Sequence, residues 1–287
     1  MQSLIFYLEP WEFSPTVLLA CLLPTAAYLR GLVLTRRAGG TIGFWPPLSY
    51  FVGVALIYIS LQTYADFLSQ HMFWVHRLQQ GILHHIAPFL VTLAAPWEIM
   101  ARGTPRVLRE RILRPVLGNR TVQLLYRVLQ HPLVAPTIFV GLLYFWLIPS
   151  VHFTAMLDVY RYNAMNWSMV VDGMFFWWIM LAPRSAQGHA SIAYPLRVVI
   201  FFIVMLFQIV LGAYITLHGS VLYTVYALCG RVWNINPMTD QQWGGLLTWV
   251  LPSMMCVLGI LVVLRRMLHE PDTRPVAASA MAGVSGQ

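Results

Sequence analysis

The sequence has little of the charge that a soluble protein carries. Only 10% of its 287 residues are charged and lysine is absent, whereas soluble domains have about 25% charged residues. Hydrophobic residues make up 59% of the chain, and the mean hydropathy is +0.67. These values exclude an ordinary soluble domain and predict a polytopic membrane protein.

Cysteine is scarce, and the residue patterns of hydrolytic sites are missing. The three cysteines, Cys21, Cys229 and Cys256, lie far apart with no CxxC pair, so we expect neither a disulfide framework nor a thiolate metal site. The sequence also contains no nucleophile paired with a base, no Gly-rich phosphate loop and no paired carboxylates. We therefore expect a protein that is not an enzyme.

The positive charge comes from 18 arginines, which set the formal net charge at +8. Such a charge favours nucleic-acid binding when it clusters on a folded soluble face. Here the arginines lie between apolar runs, so we expect no nucleic-acid partner. Segment 1–13 has two acids and no basic residue, which is not the pattern of a cleaved signal peptide, and we expect it to stay in the mature protein.

Apolar windows long enough to cross a bilayer recur along the chain. They cover residues 16–34, 44–62, 82–100, 132–149, 163–183, 195–217 and 245–264. The third window contains His84, His85 and two prolines, which neighbouring helices in a membrane bundle can accommodate. We predict an all-α fold, a polytopic membrane helix bundle with seven transmembrane helices.

The arginine distribution predicts the orientation of this bundle. Of the 18 arginines, 15 follow the first, third, fifth and seventh windows, and the intervening loops hold Arg77, Arg161 and Arg231. Because arginine-rich short loops stay in the cytoplasm, we expect the N-terminus outside and the C-terminus in the cytoplasm. Residues 1–266 then form a single transmembrane domain, and residues 267–287 form a disordered cytoplasmic tail.

Histidines are concentrated before and within the third window, on the predicted outer side. The candidate metal ligands there are His71, Met72, His76, His84 and His85. In a regular helix His76 and His84 share one face with Gln80, whereas His85 falls on the opposite face. Imidazole and thioether ligands suit Cu(I), so we predict an outward-facing copper site. The alternative is a set of interfacial histidines with their polar tips in water.

Asp172 is an acid deep within the fifth predicted span, where an ionisable side chain faces the bundle interior and usually has a partner. It shares an arc of about 120° with other polar and sulfur-bearing residues. These residues are Tyr162, Met165, Asn166, Met169 and Gly173. We expect Asp172 to serve the copper site, as a ligand or, like Gln80 and Asn166, as a partner of a ligating histidine. Hydrogen-bonded packing between helices is the alternative.

Two further segments favour structural roles. Gln208 and Gly212 in the sixth window suit close helix contact. Asp240 and the two glutamines after it precede the seventh window. These residues can cap the start of that helix or contribute to a metal pocket.

Several segments together resemble the CtaG family of cytochrome c oxidase assembly factors, of the seven-helix kind. The resemblance runs from about residue 64 to 266, with DQQWGGLLTWV (240–250) as its most specific segment. The supporting segments are HRLQQGILHHIAP (76–88), DGMFFWWIML (172–181), AYPLRVVIFFIVMLFQIVLG (193–212) and VLYTVY (221–226).

The resemblance implies an assembly factor in the bacterial inner (plasma) membrane that acts on haem-copper oxidase subunits. It implies a role in copper-centre maturation, in which a copper chaperone is a possible further partner. The family often has histidine at the positions that here hold Gln80, Leu147, Tyr162 and Asn166. This chain therefore either has a rearranged site, built from His71, His84, His85 and Asp172, or keeps the scaffold without the metal.

A different function class stays open on the residues alone. A membrane haem-b electron carrier needs two histidines on facing helices as axial ligands. No predicted span contains a histidine deeper than His85, so copper handling is the preferred hypothesis. A metal-free accessory subunit that holds an oxidase together is the third possibility.

Overall fold

The structure, a computed structural model, describes residues 10–182 and 192–269, and the regular elements in these two ranges are helices. An isolated bridge pairs Pro10 with Thr63. The predicted all-α class is confirmed. Arg184, His189 and nearly all of the predicted tail lie outside the described residues, so the tail stays a prediction.

The helices are numbered here in chain order. They are α1 (Pro15–Arg37), α2 (Trp45–Gln62), α3 (Tyr64–His71), α4 (Phe73–Leu93), α5 (Trp97–Gly103), α6 (106–118), α7 (Arg120–Leu129), α8 (Val134–Trp146), α9 (Pro149–Leu157), α10 (Val159–Leu181), α11 (Tyr194–Leu217), α12 (Val225–Leu228) and α13 (Pro237–His269).

Helices α1, α11 and α13 are each long and apolar enough to cross a membrane. Two bent pairs also qualify when each is taken as one span, namely α4 with α5 and α7 with α8. The described part of the chain therefore contains three to five candidate spans, in keeping with a protein integral to a membrane. The number seven and the orientation of the termini stay predictions.

The third predicted window differs in its bounds from the helix that forms there. Helix α4 begins at Phe73, nine residues before the window, and ends at Leu93. The chain then turns at Ala95, whose φ is 45°, and at Pro96, so that α5 is bent by 72° from α4. A proline cannot continue the backbone ladder, which is why the helix is interrupted here.

Helix α4 lies inside the bundle, where it packs against α2, α3, α10 and α13. Outer helices expose large apolar side chains instead, among them Leu23, Phe202 and Val210. This distribution places lipid-compatible surface outside and polar side chains inside, as expected of a membrane bundle. The helix that carries His76, His84 and His85, three of the six candidate residues, is therefore the core of the bundle.

Helices α11 and α13 form the most extensive helix contact, and Gly212 brings them close together. A Cβ atom on Gly212 would lie 2.7 Å from Cβ of Trp249 and 2.9 Å from the carbonyl oxygen of Gly245. Because any side chain would push the helices apart, this contact requires glycine. The expectation that Gly212 serves close helix contact is confirmed.

Candidate functional site: a buried polar column

Helix α4 buries an unusual number of polar side chains. Those that are at most 4% exposed are His76, Arg77, Gln79, Gln80, His84, His85 and Thr92. Burial of a polar group is unfavourable unless the group is hydrogen-bonded. Polar side chains inside a membrane bundle therefore often mark a functional site. We call His76, Gln80, His84 and His85, with their direct partners, the polar column.

The N-terminus of α4 is fixed by a residue far away in sequence. Asp240 accepts hydrogen bonds from the backbone N–H of Phe73 at 3.1 Å and of Trp74 at 2.9 Å, and it also pairs with Arg231. A carboxylate at this position satisfies free N–H groups and matches the positive end of the helix dipole. Asp240 therefore caps α4, whereas the sequence analysis expected it to cap its own helix or contribute to a metal pocket.

A π turn at Ile82–Ile86 presents two histidines in succession, just before Pro88. Proline has no N–H, so the carbonyl of His84, four residues earlier, loses its backbone donor. The indole Nε1–H of Trp177 donates to this carbonyl at 3.3 Å. A Cβ on Gly173 would lie 2.6 Å from the same oxygen, so glycine is what lets α10 approach here. Membrane helices accept proline through such local adjustments.

Each histidine of the π turn contacts a different helix. His84 Nε2 lies 3.1 Å from Asp172 Oδ2 on α10, while Gln208 Nε2 on α11 donates to His85 Nε2 at 2.9 Å. The two imidazole rings meet edge to face, with centroids 4.8 Å apart. The regular-helix expectation put them on opposite faces, yet their rings touch although their Nε2 atoms contact different helices.

A second histidine pair lies at the start of α4. The ring of His76 meets that of His152 on α9, with centroids 5.2 Å apart. His152 Nδ1 contacts the carbonyl of Trp146 at 3.1 Å, and its Nε2 contacts the hydroxyl of Tyr226 at 2.9 Å. Complete burial lowers the pKa of His152 to about 3, so its imidazole is neutral. In the sequence, His152 lies far from the histidine cluster, and no motif distinguishes it.

The four positions at which the resemblance implies a family histidine lie in the same part of the bundle as His76. Gln80 Nε2 donates to Asn166 Oδ1 at 2.6 Å, and the ring of Tyr162 lies 6.2 Å from that of His76. Leu147 belongs to the same buried cluster as Tyr162. Residues from two helices, α4 and α10, and from the C-terminal end of α8 thus lie in one part of the bundle, which separate sequence motifs do not reveal.

A cavity of about 300 Å³ opens beside the column. Its walls include Asp66, Met156, Tyr162 and Asn166. Asp66 Oδ1 accepts hydrogen bonds from Tyr162 and from Gln79, each at 2.7 Å. Burial raises the pKa of Asp66 to about 6, and these hydrogen bonds oppose that rise. Sequence analysis missed Asp66, whose one signal is its place beside the histidine cluster.

The remaining candidates, His71 and Met72, lie at the end of α3 and in its link to α4. His71 is half-buried on α3, where its Nδ1 contacts the carbonyl of Phe67 at 2.8 Å and its ring packs on Phe67. Met72 is fully buried in the link between α3 and α4. By contrast Asp172 and its neighbours Met165, Asn166 and Met169 all face the interior, as the arc predicted.

The polar column contains imidazoles in pairs. Among residues 10–182 and 192–269, no three His, Cys, Asp or Glu side chains form a group that could hold one metal ion. Nothing in this geometry tests copper binding by the predicted residues, which stays a prediction. The haem alternative gains no support, because the helices facing His84 and His85 present Asp172 and Gln208 as their partners. The rings of the facing pair His76 and His152 pack directly on each other, with no room for a haem between them.

Comparison with known proteins identifies the family. The family model described as "Cytochrome c oxidase caa3 assembly factor (Caa3_CtaG)" matches residues 26–270, which is most of the chain. The chain belongs to this family. The resemblance seen in the sequence is thereby confirmed.

Relatives of this CtaG-family chain occur in mycobacteria. It is 26% identical over 279 residues to "Uncharacterized protein Mb0105" of Mycobacterium bovis and to "Uncharacterized protein MT0111" of Mycobacterium tuberculosis. It is 24% identical over 295 residues to "Uncharacterized protein ML1998" of Mycobacterium leprae. These alignments cover 92–95% of this chain and only 40–42% of the relatives, so it spans about two fifths of their length. No solved structure matches.

The most specific CtaG-like segment, residues 240–250, docks the histidine helix. Its first residue, Asp240, caps α4. A Cβ on Gly244 would lie 2.3 Å from the ring of Phe73, and Thr248 Oγ1 accepts from Nε of Arg77 at 2.9 Å. The segment therefore holds the first turns of α4 in place, which gives a physical reason for its specific sequence.

Proposed function

We propose that this CtaG-family chain carries Cu(I) as a cargo, bound by the polar column, to the haem-copper oxidase that it helps to assemble. In this proposal it acts without catalysis, within the bacterial plasma membrane, and its partners are oxidase subunits and a copper chaperone. Family membership supports the assembly role, and the chemistry of the column supports the cargo.

Unpartnered imidazole nitrogens in the column support this proposal most directly. Both ring nitrogens of His76, and Nδ1 of His84 and of His85, are buried without a hydrogen-bond partner among the described residues. A buried polar atom left unsatisfied costs about 1–3 kcal/mol, so most such atoms in proteins have a partner. A metal ion bound by neutral imidazoles would satisfy them without adding buried negative charge.

The donor atoms available in the column and beside it, imidazole nitrogens and thioether sulfurs, are of the types that bind copper. Imidazole suits copper, and thioethers favour its Cu(I) state. His76 would be one ligand, and Met165 and Met169 are buried on the helix that faces it. His84 would be a second ligand, oriented by the contact of its Nε2 with Asp172. Because His76 and His84 are separated by about 12 Å along a helix axis, the cargo would move between them.

The cavity offers an access route to this helix. It is lined by Asn166, which contacts Gln80, and Gln80 lies one helical turn from both His76 and His84. The cavity wall also provides the thioether of Met156, which suits a soft cation, and the carboxylate of Asp66, which attracts a cation through its charge. The route thus runs from the cavity through the amide pair to the imidazoles.

Copper loading of the purified full-length protein tests the proposal. We expect about one copper per chain after Cu(I) loading under reducing conditions, measured by elemental analysis. The double variant His76→Ala, His84→Ala should lose this copper while its membrane level and helix content remain normal. His71→Ala is the matched control and should keep it, because His71 lies on α3 outside the column.

The outcomes separate the cargo from the assembly role. Copper retained by the double variant would contradict binding at the column. Normal oxidase activity in a deletion strain would contradict the assembly role itself. Lower oxidase activity in that strain, together with a wild-type protein that never binds copper, would leave the metal-free scaffold.

A specific observation favours the scaffold as the second candidate. Among the polar contacts that connect α4 to α10 or α11, three are side-chain pairs of the column. They are Gln80 with Asn166, His84 with Asp172, and His85 with Gln208. Such contacts hold membrane helices together without any metal. Replacement of a pair by apolar residues of similar size would then preserve oxidase assembly.

A further inference from the structure

A basic segment lies between the bent helix pairs, outside the polar column and the cavity. We call residues 102–129 the arginine segment. Its arginines are Arg102, Arg106, Arg109, Arg111, Arg114, Arg120 and Arg127. Glu110 is its one acid. A like-charged run of this density selects a partner with negative charge.

The arginine segment is also apolar and exposed. Residues 105–121 are all exposed, and no residue of α6 or α7 is buried. Its large exposed hydrophobic residues are Val107, Leu108, Ile112, Leu113, Val116, Leu117, Leu124, Leu125, Tyr126 and Val128. An exposed apolar surface of this extent marks a protein or membrane contact.

The bends at both ends of the segment set its direction. Helix α5 is bent by 72° from α4, and α7 is bent by 75° from α8. If α4 and α8 cross the bilayer, the elements between them run nearly parallel to the membrane plane. The segment then lies at the depth at which the two spans end, which is the headgroup layer.

Helix α7 separates its polar and apolar residues. At 100° per residue, Arg120, Gln123 and Arg127 fall within about 60° of one another, whereas Leu125 and Leu129 project from the opposite side. Basic residues on one face and large apolar residues on the other are typical of helices that lie in a membrane interface.

We propose that the arginine segment lies flat in the headgroup layer and binds anionic lipid headgroups. The arginines bind the phosphate groups, and the apolar side chains enter the upper acyl region. An acidic protein would match the charge alone, whereas a lipid surface matches the charge, the interspersed apolar residues and the direction set by the bends. This site is independent of the polar column.

Amide hydrogen exchange of the full chain in lipid nanodiscs tests this site. One disc contains phosphatidylcholine alone, and the other contains phosphatidylcholine with phosphatidylglycerol. Because one arginine near an anionic surface strengthens attraction about fivefold, peptides from 106–129 should exchange at least about fivefold more slowly in the anionic disc. High salt should reduce this difference.

Charge variants provide the control. The combined replacement of Arg109, Arg114, Arg120 and Arg127 by Gln should abolish the difference between the two discs. Arg36→Gln with Arg37→Gln, at the exposed end of α1, is the matched control and should leave the difference intact. Leu125→Asn should speed exchange of α7 equally in both discs, because it weakens the apolar contact.

Two results would overturn the proposal. One is equal exchange of the arginine segment in the neutral and the anionic discs. The other is protection by added polyglutamate in neutral discs without protection by phosphatidylglycerol, which would assign the segment to an acidic protein partner.

Discussion

The indole N–H of Trp177 takes the place of the backbone donor that Pro88 cannot supply to the carbonyl of His84. The π turn at Ile82–Ile86 is therefore held from outside α4, by a side chain of α10. The positions of both π-turn histidines depend on this contact, because it stabilises the backbone that carries them.

Trp177→Phe should lower the free energy of unfolding by about 1–3 kcal/mol, because it leaves a buried carbonyl without its donor. Pro88→Ala supplies a backbone N–H, so in the Trp177→Phe background it should cost less than in the wild type. A double-mutant cycle from thermal unfolding in detergent measures this coupling. Strictly additive effects would show that the two residues act separately.

Asp172→Asn should leave folding and membrane level unchanged while lowering copper content and oxidase maturation. The amide has the same shape as the carboxyl group and can still contact His84 Nε2, but it cannot ionise to orient and polarise a ligating imidazole. Elemental analysis and oxidase activity report the effect. If the variant matches the wild type in both, Asp172 serves helix packing.

Asp66 should give the stability of the fold a pH dependence. Its pKa rises from 3.8 to about 6, chiefly through burial. Because the folded protein holds this proton more tightly, the free energy of unfolding should fall by about 2–3 kcal/mol as the pH rises from about 4 to 6, and then level off. Asp66→Asn should lack this component. Parallel pH profiles for the wild type and the variant would contradict the prediction.

Reporter fusions test the topology. Fusions after residues 120 and 187 should read cytoplasmic, and a fusion near residue 232 should read external, because 15 of the 18 arginines follow the odd-numbered windows. External activity after residue 120 would reverse the orientation. It would also place the cavity at Asp66 on the cytoplasmic side.

The presence of helices could be predicted from the sequence, because a long run of apolar residues is visible within a single segment. All seven predicted windows overlap helices of the structure. The start of α4 could not be predicted in this way, because its first turns contain polar residues such as Arg77 and Gln80, which are nevertheless buried. Their burial depends on partners from other helices, which a hydropathy window does not include.

The candidate site was predictable in part for a similar reason. His84 and Asp172 stood out because charge or imidazole within an apolar run is unusual in any membrane helix. The contact between the rings of His84 and His85 was not predicted, because the two residues lie in a π turn. This turn precedes Pro88 and accepts a hydrogen bond from Trp177 on another helix, and a helical-wheel projection includes neither feature. The place of His152 beside His76 could not be predicted, because it depends on the packing of α9 against α4 in the tertiary structure.

The cap on α4 sets an order for biosynthesis. Asp240 follows Phe73 by 167 residues, so the ribosome releases the histidine helix long before its capping carboxylate exists. Until α13 is inserted, the first N–H groups of α4 must find temporary partners, and the helix has no fixed start. The final arrangement of the histidines is therefore completed only after α13 has entered the membrane, and a chain that stops before Asp240 would carry every column histidine without the residue that anchors their helix.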